Sequence, residues 1–259
     1  MPTDREMALA FLRTNPLQHL VHMKYLHLYP ADIDCFYTEA NGATGILLSY
    51  KPQLTSWDQS AYAIASNIFL PVVTNREMAD RLIEQITPQV DSNPFVCKFC
   101  DGGTKDIFAE AFRLEPARTL ISYTTDRFEI DDNDVVISNS LDEQTAKLFR
   151  ENGYSQDELS TRFANGAFSF TIYQDKQPAS TCYIFQNFDN VWEIAGVRTV
   201  DWAQRKGYAR RVVGAALQMI LNKGWIPRYQ AEATNAASIH LAEALGLRIC
   251  LRFEHYWAM

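Results

Sequence analysis

The sequence lacks the features of an exported, membrane-spanning or disulfide-bonded protein. Its longest apolar run, residues 212–221, is about half of the ~20 residues that a membrane-spanning helix needs, and it contains Gln218. The charged first residues lack the apolar core of a secretory signal, so we expect a cytoplasmic protein with no membrane partner. The five cysteines are odd in number and scattered, which favours reduced thiols over a disulfide framework.

Positive charge is also in deficit. The 259 residues contain 24 Lys and Arg against 31 Asp and Glu, which gives a net charge of −7 at pH 7. The backbone of a nucleic acid repels such a protein, so we expect no nucleic-acid partner. One segment departs from this balance, because residues 198–228 hold seven basic residues and a single acidic one, Asp201. A small polyanionic ligand would be attracted to that segment.

The chain divides into two halves. With 47% hydrophobic and 21% charged residues the composition is that of a globular protein, and the length suits two modest domains. Residues 126–134 hold five Asp or Glu among nine, which is typical of a linker. We therefore predict two domains, residues 1–126 and 134–259.

Hydrophobic periodicity and turn residues predict a similar order of elements in both halves. In the first half they are two helices within residues 6–28, strands at 34–38, 46–50 and 61–69, a helix at 75–86, a strand at 95–99, a helix at 106–112 and a strand at 117–123. In the second half they are helices at 142–151 and 156–164, strands at 167–173, 180–185 and 191–200, a helix at 208–222, a strand at 228–232, a helix at 236–245 and a strand at 248–256. The first hairpin turns at Asn41-Gly42, a pair that favours a tight two-residue turn. This order places the fold in the α/β class, as an α+β arrangement with a mixed sheet.

One segment of the second half is suited to binding an anion. The β-rich residues 191–200 lead through a short basic stretch, which contains Gly207, directly into the helix that begins at Tyr208. Such a turn directs several backbone N–H groups outward at the positive end of the helix dipole. Glycine leaves room for a phosphate because it has no Cβ. The segment therefore predicts a phosphate cradle.

The same residues resemble a known family. Gln204-x-x-Gly207-x-Ala209 matches the Q/R-x-x-G-x-G/A acyl-CoA signature of the GCN5-related N-acetyltransferase (GNAT) family. Asn235 to Ser238, with the following residues 241–247, resembles the family's second motif. The resemblance covers about residues 134–259 and implies tandem acyl-CoA N-acyltransferase-like domains. The first half contains no such signature at a helix start, so its resemblance is to a degenerate domain.

The resemblance implies that acetyl-CoA is the cofactor. The diphosphate would lie on the N–H groups around Gly207, and the pantetheine arm would bond the exposed edge of the strand before it. A neighbouring strand at 228–232 would splay away, with Asn235 at the mouth of the gap. The implied cofactor-binding residues are Val197, Arg198, Thr199, Gln204, Arg205, Lys206, Gly207, Tyr208, Ala209, Arg210, Asn235 and Ser238.

The family's reaction is direct attack of an amine on the thioester, which needs a general base and an oxyanion donor. Glu193 lies eleven residues before Gln204, where several family members carry a catalytic glutamate, so the resemblance implies that it is the base. A partly exposed strand carboxylate or an anchor for the substrate ammonium is the other interpretation of Glu193. Strand alternation predicts that Glu193, Ala195 and Val197 share one face, and the Val197 N–H is the expected oxyanion donor.

The sequence departs from the family at the proton donor. Many members carry a tyrosine where this chain has Ala242, within Leu241-Ala242-Glu243. Ser238, His240, Tyr256 and water are the remaining candidates, and we carry Ser238 forward as a catalytic residue. Each of these side chains also has an ordinary structural or surface interpretation.

A metal site is the weaker interpretation of another pattern. Cys97-x-x-Cys100 and His19-x-x-His22 have the spacing of two ligand pairs, but no second CxxC exists and the histidines lie in an amphipathic helix. We therefore predict no metal.

The sequence predicts a transferase that moves an acetyl group from acetyl-CoA to a primary amine of a small molecule. The first domain would be structural or would shape the substrate pocket, and the protein would be a monomer or a homodimer. The alternative is a non-catalytic acyl-CoA-binding or assembly module, in which the cradle is retained and the acceptor chemistry is lost. The absence of the tyrosine at Ala242 favours this alternative, and Glu193 argues against it.

Overall fold

The computed structural model describes residues 2–90, 93–129 and 134–259. The helices are α1 (Asp4–Leu12), α2 (Leu20–Leu28), α3 (Ser56–Ala61), α4 (Arg76–Val90), α5 (Gly102–Ala111), α6 (Glu143–Glu151), α7 (Gln156–Ala164), α8 (Tyr208–Asn222) and α9 (Ala236–Ala244). The strands are β1 (Asp34–Ala40), β2 (Ala43–Tyr50), β3 (Ile68–Val73), β4 (Phe95–Phe99), β5 (Leu114–Thr124), β6 (Val136–Ser138), β7 (Phe168–Gln174), β8 (Gln177–Phe188), β9 (Val191–Thr199), β10 (Ile226–Glu232) and β11 (Arg248–Ala258). Among these residues, no helix combines the length and apolar character that crossing a membrane requires.

Residue contacts divide the chain into two units. The first contains Met1–Ile121 and Leu251–Met259, and the second contains Ser122–Cys250. The last nine residues thus group with the first unit, whereas the sequence division placed them in the second domain. Of the predicted linker at 126–134, residues 130–133 lie outside the described part of the chain. Both halves follow the order of two helices, three strands, helix, strand, helix, strand, apart from the extra α3 and β6.

In the first unit, the strands lie in the order β1-β2-β3-β4-β11. The predicted hairpin turn is present, because Asn41 and Gly42 have φ of +53° and +76° between paired Ala40 and Ala43. Strands β3 and β4 pair in parallel at only two positions, which end at Phe69 and Cys97. Helices α4 and α5 cover one face of this sheet and bury a phenylalanine-rich core.

The predicted strand at 61–69 is wrong. Residues 56–61 form α3 and the strand begins only at Ile68. The Thr55 side chain caps this short helix by accepting a hydrogen bond from the Asp58 N–H at 3.0 Å. Asp58 is fully buried and binds the Lys98 ammonium at 2.6 Å, so a distant residue fixes the helix that the local pattern did not reveal.

In the second unit, the strands lie in the order β10-β9-β8-β7-β6. Helix α8 packs on one face, where the Cys182 thiol lies 3.4 Å from the Val212 carbonyl oxygen. The other face is covered by α6 and α7, whose Phe149 and Leu159 form a buried cluster with Tyr183. The sheet is therefore covered by helices on both faces.

A bulge interrupts β9 at Gly196. Two residues of β9, Gly196 and Val197, lie opposite the single residue Cys182 of β8. Gly196 has φ of +65°. Thr181 and Tyr183 share a face of β8, so their partners Arg198 and Ala195 share that face as well. The bulge therefore overturns the prediction that Val197 lies on the face of Glu193 and Ala195.

Replacing Gly196 by alanine is expected to lower the free energy of unfolding by about 3 kcal/mol. An added Cβ would lie 2.7 Å from the Tyr183 ring and 2.9 Å from the Phe149 ring, and the positive φ adds backbone strain. Urea unfolding measures the loss. Gly166→Ala is the matched control, since Gly166 has φ of +86° and open space around it, and we expect it to cost about 1 kcal/mol. Equal losses in the two variants would contradict the close packing at the bulge.

Candidate functional site

The start of α8 presents free backbone donors to solvent. Arg205 and Gly207 have φ of +60° and +78°, which turn the chain sharply before the helix begins. In the described part of the chain, no N–H group from Arg205 to Arg210 donates to a backbone carbonyl or to a capping side chain. These residues are half-buried or exposed. Free N–H groups at the positive end of a helix dipole can hold an anion.

Open space lies above Gly207. A Cβ built at this position meets no heavy atom within 4 Å, so the turn leaves a hollow that a larger residue would fill. Arg205 and Arg210 border the same hollow and add positive charge. The turn therefore combines open space with positive charge, and we call it the cradle below.

A gap opens between β9 and β10 beside the cradle. The two strands pair in parallel from Val191 and Ile226 as far as Ile194 and Tyr229, and the pairing ends there although both strands continue. The edge of β9 at residues 195–199 therefore faces the gap on the β10 side. An extended ligand can bond such an edge as an added strand does.

The cradle and the gap open into one cavity of about 590 Å3. Eleven of the twelve predicted cofactor-binding residues line it: Val197, Arg198, Thr199, Gln204, Arg205, Gly207, Tyr208, Ala209, Arg210, Asn235 and Ser238. Lys206 does not, because its ammonium lies 5.9 Å above the Trp202 ring. The lining also contains Asn152 and Ala203, which no motif indicated, and Tyr229, Ala237 and Leu241, which lie in segments that the resemblance placed at the gap.

Two polar groups shape the wall of the cavity. The Asn235 side chain caps α9 by accepting a hydrogen bond from the Ser238 N–H at 3.1 Å, which fixes the helix start beside the gap. Burial raises the pKa of Tyr229 to about 12, so its hydroxyl stays protonated at neutral pH. The wall thus offers hydroxyl and amide groups with their hydrogens in place.

Glu193 lies outside this lining, in a buried ion pair. Its carboxylate Oε2 accepts a hydrogen bond from Arg228 Nη1 at 2.6 Å and another from Asn187 Nδ2 at 3.0 Å. The residue is only 7% exposed, and Arg228 is 3% exposed. The sequence offered no sign of Arg228 as the partner, because 35 residues separate the two side chains. Both hydrogen bonds are made to Oε2, so Oε1 is the carboxylate oxygen that remains to accept a further hydrogen bond or a proton.

The candidate proton donors are dispersed. Ser238 lines the cavity, whereas His240 does not and is exposed on α9. Tyr256 belongs to the first unit, where its hydroxyl lies 3.5 Å from a Glu254 carboxylate oxygen. Ala242 is fully buried. Of these side chains, Ser238 alone is placed for contact with a ligand of the cavity.

The CxxC and HxxH residues are packed in the first unit. Cys97 and Cys100 are buried, and burial raises the pKa of the Cys100 thiol to about 12. His22 is fully buried, and burial lowers its pKa to about 3. Across residues 2–90, 93–129 and 134–259, no three His, Cys, Asp or Glu side chains are grouped as metal ligands would be.

Similar folds occur among solved structures. An acetyltransferase of the GNAT family from Colwellia psychrerythraea has a TM-score of 0.63 and 10% identity, with 97% of this chain and 94% of that chain covered. A tandem GNAT protein from the clavulanic acid biosynthesis pathway has a TM-score of 0.52 and 11% identity, with 91% and 86% covered. A GCN5-related N-acetyltransferase from Sphaerobacter thermophilus has a TM-score of 0.52 and 9% identity, with 83% and 79% covered. Identities this low show likeness of fold alone.

The comparison with family models says more about this chain than the likeness of fold does. No curated protein matches the chain. The family model described as GNAT acetyltransferase matches residues 59–256, which is more than half of the chain. The α/β fold, with the same order of elements in tandem, agrees with that match. The chain therefore belongs to the GNAT acetyltransferase family.

Proposed function

We propose that this protein is an acetyl-CoA-dependent N-acetyltransferase that acts on a primary amine of a small molecule. The observation that carries the proposal is the row of free N–H groups from Arg205 to Arg210 beside the open gap between β9 and β10. Membership of an acetyltransferase family supports acyl transfer in general. The cavity of about 590 Å3 adds the positive charge of Arg205 and Arg210, which suits a diphosphate.

The residues of the cavity fit acetyl-CoA. The cofactor supplies an activated acetyl thioester when it is bound. The N–H groups around Gly207 and the side chains of Arg205 and Arg210 would hold its phosphates, because they are unpaired within the described chain and positively charged. The edge of β9 at residues 197–199 would hold the pantetheine amides by backbone hydrogen bonds.

In this proposal Glu193 is the general base. Arg228 and Asn187 hold one carboxylate oxygen in place, and Oε1 takes the proton of the attacking amine through a water molecule. The Val197 N–H would be the hydrogen-bond donor for the thioester oxygen of bound acetyl-CoA. Both groups come from β9, on either side of the bulge.

Release of free thiol from acetyl-CoA tests the proposal. We expect the protein to release thiol above the rate of hydrolysis with at least one primary amine in a panel of small amines. Calorimetric titration with acetyl-CoA, done on the same sample, measures binding independently. Tight binding without amine-dependent thiol release would overturn the enzyme and favour the non-catalytic acyl-CoA-binding module. Absence of binding would overturn both.

The first unit does not offer a second cradle, so we propose that it is a degenerate acetyltransferase-like domain. The Asn75 side chain accepts a hydrogen bond from the Met78 N–H at 3.0 Å, and the Asn75 carbonyl accepts one from the Ala79 N–H at 3.2 Å. The Asn75 side chain therefore occupies the Met78 N–H at the start of α4, whereas α8 has no side-chain cap. Where β3 and β4 part, the fully buried rings of Phe99 and Phe108 pack 5.5 Å apart between their centroids.

We accordingly expect one acetyl-CoA per chain. Isothermal titration calorimetry should give a stoichiometry of about one, since the start of α8 opens into a cavity bordered by Arg205 and Arg210, whereas the Asn75 side chain caps the corresponding helix α4. Two sites per chain would contradict the degenerate first domain. The variant Gly207→Glu serves as the control, because it should reduce the stoichiometry to zero.

A further inference from the structure

Tyr154 touches the bulge of β9. It lies in the loop between α6 and α7, and its hydroxyl oxygen accepts a hydrogen bond from the Gly196 N–H at 3.2 Å. The bulge turns this N–H out of the strand ladder, because Gly196 has a positive φ. The next residue, Val197, lines the cavity. The hydroxyl of Tyr154 is therefore held one residue away from the proposed oxyanion donor.

Packing fixes the Tyr154 ring. It meets the ring of Tyr183 edge-on, with 5.4 Å between the centroids. Tyr183 is itself fully buried and packs edge-on against Phe149, with 5.0 Å between centroids. A ring confined in this way keeps its hydroxyl in one position, which a preorganised hydrogen-bond donor requires.

The Tyr154 hydroxyl lies beside two donors. Its oxygen accepts a hydrogen bond from the Gly196 N–H at 3.2 Å, and a hydrogen bond from the Tyr183 hydroxyl opposes the rise in its pKa that burial causes. Because both neighbours donate toward this oxygen, its own hydrogen is left for a ligand. Burial raises the pKa of Tyr154, so the phenol stays neutral at physiological pH and keeps that hydrogen.

We propose that Tyr154 is a catalytic residue that donates a hydrogen bond to the thioester oxygen, as a second donor beside the Val197 N–H. This inference rests on the proposed function. Tyr154 keeps its proton throughout: the proton of the amine goes to Glu193, the C–S bond breaks as the C–N bond is completed, and the leaving thiolate takes a proton from water. The role differs from that of the tyrosine absent at Ala242, which would supply a proton to the leaving group.

The variant Tyr154→Phe tests the assignment, because it removes one oxygen and retains the ring packing. We expect kcat to fall by about 100-fold, as for the loss of one oxyanion donor, with KM for acetyl-CoA unchanged. We also expect the infrared carbonyl stretch of bound [1-13C]acetyl-CoA to move to higher frequency in the variant, toward its value in buffer. Tyr37→Phe is the matched control, since it loses a hydroxyl that bonds Glu39 in the first unit, and it should change neither quantity.

The outcomes separate three cases. If the wild-type protein transfers no acetyl group, the proposed function fails, whereas a carbonyl shift between wild type and Tyr154→Phe still supports the contact with Tyr154. If the wild type is active and Tyr154→Phe matches it in kcat and carbonyl frequency, the assignment of Tyr154 is overturned and the proposed function stands. If Tyr154→Phe lowers the melting temperature and raises KM while the carbonyl frequency stays at the wild-type value, Tyr154 supports the bulge only, which also overturns the assignment.

Discussion

Gly207→Glu is expected to abolish binding of acetyl-CoA and to leave the protein folded. The new side chain would enter the open hollow above the turn and place a negative charge where the phosphates are proposed to lie. Loss of affinity should be at least about 100-fold, which corresponds to ~2.7 kcal/mol at 25 °C. Isothermal titration calorimetry measures the affinity, and circular dichroism checks the fold.

Gly224→Glu separates the position of the new charge from its other effects. Gly224 also has a positive φ, +70°, and no heavy atom within 4 Å of an added Cβ, but it follows the other end of α8 and does not line the cavity. Backbone strain and net charge change equally in the two variants. We expect Gly224→Glu to bind acetyl-CoA as the wild type does. Equal loss in both variants, or wild-type affinity in Gly207→Glu, would refute the cradle.

Elements that are specified by their own local residues were predicted closely from the sequence. The predicted helix at 208–222 agrees with α8 at both ends, because a glycine turn precedes it and an apolar stripe runs through it. The helix at 156–164 agrees with α7, whose Ser155 side chain accepts a hydrogen bond from the Glu158 N–H. The Asn41-Gly42 turn is of the same kind, since two residues with positive φ decide it.

Elements that depend on distant residues were missed. Helix α3 is held by the buried pair of Asp58 and Lys98, which are 40 residues apart. Strand β6 is three residues long and exists through pairing with β7. The ladder partners of such a strand cannot be read from its own few residues.

The bulge explains why the cavity lining was predicted better than the side-chain faces of β9. The motif fixed the residues around Gly207 by local spacing, and eleven of the twelve predicted binding residues line one cavity. The side-chain faces predicted from strand alternation are wrong beyond Ala195, because the extra residue at Gly196 moves every later side chain of β9 to the opposite face. A glycine inside a strand pattern was the available signal of this bulge. Tyr154 carried no comparable signal, since only the folded chain brings it to Gly196.

Glu193→Gln is expected to lower kcat by about 10²- to 10⁴-fold, the usual contribution of a general base, with acetyl-CoA affinity unchanged. Glutamine has the shape of glutamate but cannot take the proton of the amine. The same change leaves the buried Arg228 guanidinium without its counter-charge, so we expect the free energy of unfolding to fall by about 3 kcal/mol. Amine-dependent thiol release and urea unfolding measure the two effects separately.

The double variant Glu193→Gln/Arg228→Met distinguishes the general base from a purely structural ion pair. Removing Arg228 together with the carboxylate eliminates the unpaired buried charge, so stability should recover toward the wild-type value. If Glu193 is the base, turnover remains low, because no group has replaced the proton acceptor. If the pair only holds β9 against β10, turnover recovers together with stability, and Glu193 has no part in the chemistry.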